Sequence, residues 1–169
     1  IMISKFFKNN LINSHSTRLP QDRGGGGFSW RILNQNKFGT CALHLIQSNK
    51  VDSGDILSYE EFIFPYSLKK PIDYQFFQIE KEKKFLKNFL NKIIKQENFQ
   101  LSNQPEYLST YFPRLSTADN GWIDWSLHIQ KLFNFICAFD DPYIGASTFY
   151  EKRQVKIKSV TMTFGDPVF

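Results

Sequence analysis

Asn13 and His15 are the first residues along the chain whose side chains could do chemistry together. They are two positions apart in a segment with an extended pattern, so both side chains lie on the same side of a strand. An imidazole exchanges protons near neutral pH, and an amide N–H stabilises negative charge developing on a carbonyl oxygen. The pair therefore fits acid–base work on a carbonyl. An Asn and a His that only satisfy loop hydrogen bonds are the commoner alternative.

Asp52 is the carboxylate that could complete this group. It lies in VDSGDIL, where a turn before a strand can present a side chain at a sheet edge. Together with His15 it would supply the imidazole and carboxylate of a general acid–base pair. An ordinary turn aspartate is the alternative, since spacing along the chain does not show that the two residues meet.

The glycine run from Gly24 to Gly27 could let backbone N–H groups approach a phosphate closely. It lacks the following Lys and Ser/Thr of a P-loop and does not follow the GxGxxG pattern of dinucleotide sites. A flexible loop is the alternative for this run.

The metal-ligating residue types are scattered along the chain. His15, His44 and His128 share no ligand spacing with cysteines or acidic residues, so we predict no metal. Cys41 and Cys137 are far apart and form no CxxC motif, which indicates neither a disulfide framework nor a zinc site and fits a reducing compartment.

Hydrophobic periodicity predicts the elements that must position these residues. A strand that includes Leu11 and Ile12 leads into the long loop of NSHSTRLPQDRGGGG, and residues 100–113, which carry two prolines and no sustained period, form a linker. The other predicted elements are a helix at 28–34, strands at 40–46 and 55–64, a helix at 74–96, a helix capped by Asp124 or Ser126 that ends near residue 140, and a hairpin of 147–150 with 154–159.

Length and composition limit the class of protein. With 169 residues, 41% of them hydrophobic and 17% aromatic, the chain can form one core or slightly more, and global disorder is excluded. The net charge of +5 favours acidic or phosphorylated partners without establishing nucleic-acid binding. No run of about 18 apolar residues and no signal-peptide pattern occurs. We therefore predict a cytoplasmic protein with no membrane partner.

Two separate sets of motifs give the sequence a family resemblance. The segments NSHSTRLPQDRG, GTCALHLI and VDSGDIL, with Trp30 six residues after Gly24, resemble in order and spacing the 10-formyltetrahydrofolate-dependent formyltransferase family. The second set, around IDWS and DPYIGA, resembles the start of the C-terminal domain of methionyl-tRNA formyltransferases and their sugar-modifying relatives. The resemblance covers about residues 11–159.

The resemblance implies an α/β fold: a partial, Rossmann-like catalytic domain over 1–104, followed by the beginning of a small α+β domain over 105–169. The family's catalytic domain begins with several βα units of a parallel sheet, and this chain begins almost at the NxHxS motif. We therefore expect a chain that lacks the N-terminal half of that domain. Thr17 in place of the usual Ser and Gly27 in place of the usual Pro are further departures.

The resemblance also implies the roles of individual residues. Asn13, His15 and Asp52 would be catalytic, with the Asn13 amide and a protonated His15 stabilising the oxyanion. The implied binding residues for the 10-formyltetrahydrofolate cosubstrate are Gln47, Ser48, Asn49, Lys50 and Val51, and those for the acceptor are Arg23, Gly24 and Gly25.

The acceptor implied by the resemblance is a primary amine. Because His44 matches the strand pattern of the sugar-acting and glycinamide ribonucleotide members, we favour an amino sugar attached to a nucleotide. Methionyl-tRNA is the alternative acceptor, and a homodimer is left open. A hypothesis from another class is an inactive remnant whose Phe-rich surface serves as an assembly interface.

Overall fold

A computed structural model describes residues 11–25, 27–47, 50–163 and 165 of the chain. Its elements, in chain order, are β1 Ile12–His15, β2 Arg23–Gly24, α1 Phe28–Leu33, β3 Phe38–Leu45, β4 Ile56–Ile63, α2 Pro71–Ile94, a 3₁₀ turn Glu106–Leu108, β5 Tyr111–Phe112, α3 Thr117–Asn120, α4 Ile129–Ala138, β6 Ala146–Tyr150 and β7 Arg153–Ile157. The mixture of helices and strands confirms the predicted α/β class.

Strand β3 lies in the middle of a three-stranded sheet of order β1-β3-β4. Both neighbours run antiparallel to it, although the resemblance implied a parallel sheet. Six consecutive residues of β3, 39–44, are buried, including the polar Thr40 and His44. Among the described strands, β2 and β5 form the parallel pair.

Helix α2 covers this sheet. Phe85 and Phe89, four residues apart on one face of the helix, pack with Cys41 and Leu43 of β3. Pro71 occupies the first turn, and the carboxylate of Asp73 accepts a hydrogen bond of 3.0 Å from the backbone N–H of Lys70. The predicted helix is confirmed, with a start three residues earlier than expected.

A second core joins the two halves of the chain. It contains Ile32 of α1, Phe64 after β4, Tyr74 of α2, and residues 136–139 at the end of α4. The core residues come from both sides of residue 105, and the domain boundary at that position stays a prediction.

Two local predictions were wrong. Helix α4 is capped by His128, whose Nδ1 accepts from the backbone N–H of Gln130 at 3.4 Å, and not by Asp124 or Ser126. Asp124 instead accepts from both the backbone N–H and the hydroxyl of Ser126, so its side chain serves its own turn. The predicted linker at 100–113 contains the 3₁₀ turn and β5, and it pairs with the first half of the chain.

The C-terminal hairpin of β6 and β7 is confirmed, although its turn contains no glycine. Glu151 and Lys152 both adopt positive φ, 46° and 65°, as the tight two-residue turn of a hairpin requires. Across the described ranges, no helix combines the length and apolar character needed to cross a bilayer.

Candidate active site

Folding brings His15 and Asp52 together and adds a third group, His44. Asp52 Oδ2 lies 3.8 Å from His15 Nδ1, and Asp52 Oδ1 lies 3.6 Å from His44 Nε2. The strand register explains the third member, because Asn13 of β1 faces His44 of β3 directly. Asn13 Nδ2 and His44 Nε2 are 3.1 Å apart. The four side chains form one polar cluster at the end of the sheet.

The hydrogen bonds of His44 assign its tautomer. Its Nδ1 lies 2.9 Å from the backbone carbonyl oxygen of Leu45, which can only accept, so Nδ1 carries the hydrogen. Nε2 then accepts a hydrogen bond from the amide of Asn13. Burial lowers the pKa of His44 below its usual 6.5, and the carboxylate of Asp52 opposes this shift only in part. His44 is therefore a neutral imidazole that orients the Asn13 amide.

His15 is held through its other ring nitrogen. Its Nε2 lies 2.5 Å from the hydroxyl oxygen of Thr17, which donates its own hydrogen to the carbonyl of Asp22. The hydroxyl must therefore accept from His15, which places a hydrogen on Nε2 and directs Nδ1 toward Asp52. The Thr17 hydroxyl makes this bond through an oxygen that a serine at this position would also carry.

Asp52 is positioned by two segments that are distant in sequence. The backbone N–H of Gly24 donates to Asp52 Oδ2 at 2.9 Å. Gly24 has a φ of 81°, and a Cβ at this position would lie 2.3 Å from the ring of Tyr111, so only glycine allows β2 to approach β5 this closely. Asp52 itself has a φ of 52°, a conformation that its surroundings must hold in place.

Gln104 is the residue that holds the backbone of Asp52, and sequence reasoning missed it. Its buried amide donates to the carbonyl oxygens of Asp52 at 2.9 Å and Gly54 at 2.6 Å. Its Oε1 accepts from Arg23 Nε at 3.2 Å. A polar residue within an apparent linker carries no local signal of such a contact.

A cavity of about 720 Å³ opens beside His15. Gly24 and Gly25, two of the predicted acceptor residues, line it. Arg23, the third, is buried with its guanidinium directed to Gln104 and Glu106, and it is absent from the cavity wall. Other lining residues differ in chemistry and come from both halves of the chain: Trp30, Arg114, Ser116 and Tyr143.

The predicted folate-binding residues belong to the loop between β3 and β4. Gln47, Lys50 and Val51 are exposed, and Lys50 pairs with Glu106 at 2.9 Å. Ser48 and Asn49 lie outside the described residues. The loop leads directly into Asp52, so a molecule bound along it would reach the polar cluster.

Ligand atoms of His15, His44 and Asp52 all lie within 4.8 Å of one another, close enough to surround a metal ion. The sequence prediction of no metal rested on spacing along the chain, which does not reveal this grouping in space.

Comparisons with known proteins give two kinds of similarity. Residues 115–164 match the family model of the formyl transferase C-terminal domain. The chain is 29% identical to the bifunctional polymyxin resistance protein ArnA of Wigglesworthia glossinidia brevipalpis, over 96% of this chain and 24% of that protein.

Solved structures share the fold. Methionyl-tRNA formyltransferase from Clostridium thermocellum is 19% identical with a TM-score of 0.72, over 96% of this chain and 68% of that one. An N-formyltransferase from Helicobacter canadensis, in complex with folinic acid and dTDP-3-aminofucose, is 24% identical with a TM-score of 0.62 over 78% of this chain and 48% of that one. The chain thus spans about a quarter of its curated relative and about half of the Helicobacter canadensis N-formyltransferase.

Proposed function

We propose that the chain is a formyltransferase, which transfers a formyl group from 10-formyltetrahydrofolate to a primary amine; its match to the formyl transferase C-terminal domain and the fold it shares with solved formyltransferases support this. The observation that carries the proposal is the convergence of Asn13 and His15, from one motif of the resemblance, with Asp52 from another, around His44. The solved neighbours, which include complexes with folate compounds, support the choice of cosubstrate.

The geometry suits each part of this reaction. The amine nitrogen attacks the formyl carbon, and the bond from that carbon to the folate nitrogen breaks. Asn13 Nδ2 has two hydrogens, of which His44 takes one, so the second can donate to the developing oxyanion. A protonated His15 would donate from Nδ1 beside it.

Asp52 would accept the proton that the attacking amine loses and return it to the departing folate nitrogen. The amine loses a proton as its new C–N bond forms, and the departing folate nitrogen gains one, so no net proton is consumed. Asp52 faces His15 and His44 through separate oxygens, and it can receive the proton directly or through a water and return it.

For the acceptor we propose an amino sugar attached to a nucleotide. The cavity beside His15 offers the cation of Arg114 for a phosphate and the rings of Trp30 and Tyr143 for apolar or stacking contacts. The neighbour from Helicobacter canadensis was solved with dTDP-3-aminofucose. Methionyl-tRNA is the second candidate, supported by the higher TM-score and coverage of the Clostridium thermocellum enzyme.

The test has two stages. Calorimetric titration with 5-formyltetrahydrofolate, a stable cosubstrate analogue, should show saturable binding to the chain. Incubation with 10-formyltetrahydrofolate and either dTDP-3-aminofucose or methionyl-tRNA should then yield the formylated amine, detected by mass spectrometry. A folded sample that neither binds the folate nor forms product would favour the inactive remnant.

Arg114 distinguishes a phosphate-bearing acceptor from a neutral one. We expect Arg114→Gln to raise KM for the nucleotide sugar about tenfold with little change in kcat, the loss of one charge-assisted hydrogen bond. Arg153→Gln, on the exposed hairpin strand β7, is the matched control. Equal KM values for both variants would show that Arg114 does not bind the acceptor.

A further inference from the structure

We propose that His15, His44 and Asp52 bind a divalent transition-metal ion, of which Zn²⁺ fits best, and that the bound ion inhibits the enzyme. The binding claim is independent of the function proposed above, and the inhibition claim rests on it.

Two pairs of ligand atoms already lie near tetrahedral separations, and all of the ligand atoms lie within 4.8 Å of one another. Two ligand atoms about 2.1 Å from a zinc ion in tetrahedral geometry are about 3.4 Å apart. The separations here are 3.8 Å for His15 Nδ1 and Asp52 Oδ2, and 3.6 Å for His44 Nε2 and Asp52 Oδ1. Small side-chain movements would therefore complete a site with two imidazoles, one carboxylate and an open position for water.

Hydrogen bonds hold all three candidate ligands. His15 Nε2 donates to the hydroxyl of Thr17, and His44 Nδ1 donates to the carbonyl of Leu45, so each imidazole keeps a lone pair on the nitrogen nearer Asp52. The carboxylate of Asp52 accepts from the backbone N–H of Gly24. Such supporting hydrogen bonds fix ring orientation and tautomer in known metal sites.

The two imidazole ligands determine which class of metal ion the site would bind. Zn²⁺ and neighbouring transition metals accept nitrogen ligands, whereas Mg²⁺ and Ca²⁺ prefer oxygen. An ion here would occupy the lone pair of His15, which must be protonated to stabilise the oxyanion, and the carboxylate of Asp52, the proposed proton acceptor, so it would block the reaction rather than assist it.

Asn13 competes with the metal. Its amide donates to the Nε2 lone pair of His44 at 3.1 Å, so the amide must turn away before the ion binds. Removing the amide should therefore strengthen metal binding, whereas a purely structural role for Asn13 would not produce this effect.

The experiment is titration of the purified full chain with Co²⁺, which reports zinc-like sites by visible absorption. We expect one saturable ion per chain, displaced by Zn²⁺ and removed by a chelator. His44→Asn and Asp52→Asn should weaken binding at least about 100-fold, at or beyond the loss caused by removing a supporting partner. Asn13→Ala should strengthen it about tenfold, the worth of one hydrogen bond.

His128→Asn is the matched control, because it removes the histidine at the α4 N-cap and leaves a residue that also caps helices. Thermal unfolding of each variant shows which variants are folded. The Co²⁺ binding of the folded His44 and Asp52 variants then tests the binding proposal. No saturable Co²⁺ spectrum, or a spectrum unchanged by loss of His44 or Asp52, would overturn the binding proposal. So would a spectrum lost equally in the His128 variant.

Inhibition is measured separately by adding Zn²⁺ to the formyl-transfer reaction and then a chelator. Failure of the proposed function would leave the Co²⁺ spectrum intact, and failure of the metal proposal would leave transfer activity intact. Binding without inhibition would reject the second claim alone.

Discussion

Asp52 and Asp140 both join segments that are distant along the chain, but the groups facing them differ. Asp140 is fully buried, and its oxygens meet the ammonium of Lys70 at 3.3 Å and the backbone N–H groups of Asp141 at 2.7 Å and Ser159 at 2.6 Å. Each of these donors is permanent, because neither an ammonium nor a backbone N–H loses its hydrogen at neutral pH. The result is a fixed junction between α2 and the C-terminal hairpin.

Asp52 faces one backbone N–H and two imidazole nitrogens. No Lys or Arg of the described residues lies within ion-pair distance of it. Its carboxylate therefore retains a side that a transferable proton, a water or a cation can occupy. The difference teaches how this fold separates a carboxylate that stabilises from one available for chemistry.

The same substitution at both sites should separate these roles, with the largest effects expected here. Asp52→Asn keeps an oxygen for the Gly24 N–H but removes the proposed proton acceptor, so kcat should fall by about 100-fold or more. Asp140→Asn breaks the pairing with Lys70 and should lower the free energy of unfolding by about 3 kcal/mol, as for other broken buried ion pairs. Steady-state kinetics and urea unfolding of both variants supply the two measurements.

The opposite pattern of effects would contradict the roles assigned to Asp52 and Asp140. If Asp52→Asn lost stability with unchanged kcat per folded molecule, Asp52 would be structural. A fall in kcat for folded Asp140→Asn would show that the junction reaches the site.

A smaller effect is expected from Gln104→Glu, which removes both donors to the loop that carries Asp52 while keeping an oxygen for Arg23. The freed backbone of Asp52, held at positive φ, should move its carboxylate, and kcat should fall about tenfold with KM for the acceptor unchanged. Gln78→Glu is the matched control, because Gln78 is equally buried and donates to the carbonyl of Thr40 at 2.8 Å in the α2–sheet contact.

Both variants should be less stable than the wild type. Gln104→Glu alone should change kcat and the pH profile of kcat, and equal kinetics in the two variants would reduce Gln104 to a structural residue.

The features of this site that depend on local structure could be predicted from the sequence. Asn13 and His15 share one side of β1 because of their spacing, and Asp52 lies in the turn before β4, as the pattern predicted. The roles of Gln104 and Arg114 were not predictable, because both depend on contacts between segments roughly 50 to 90 residues apart along the chain. His44 was recognised by its motif, yet its contact with Asn13 required the β1–β3 register.

The smallest expected effect concerns Asp141, the partly exposed neighbour of Asp140. The ammonium of Lys158 lowers the pKa of Asp141 below its usual 3.8, and Lys70 adds to this effect. Because the folded state favours the charged form, the stability that Asp141 contributes is fully present above pH about 4 and is lost as the pH falls through the lowered pKa. Asp141→Asn should therefore unfold more easily than the wild type near neutral pH, and the difference should shrink in acid. Urea midpoints measured across the acid range test this, with Asp119→Asn on α3 as the control. A difference that persisted unchanged in acid would show that the Asp141 side chain acts by its hydrogen bonds rather than by its charge.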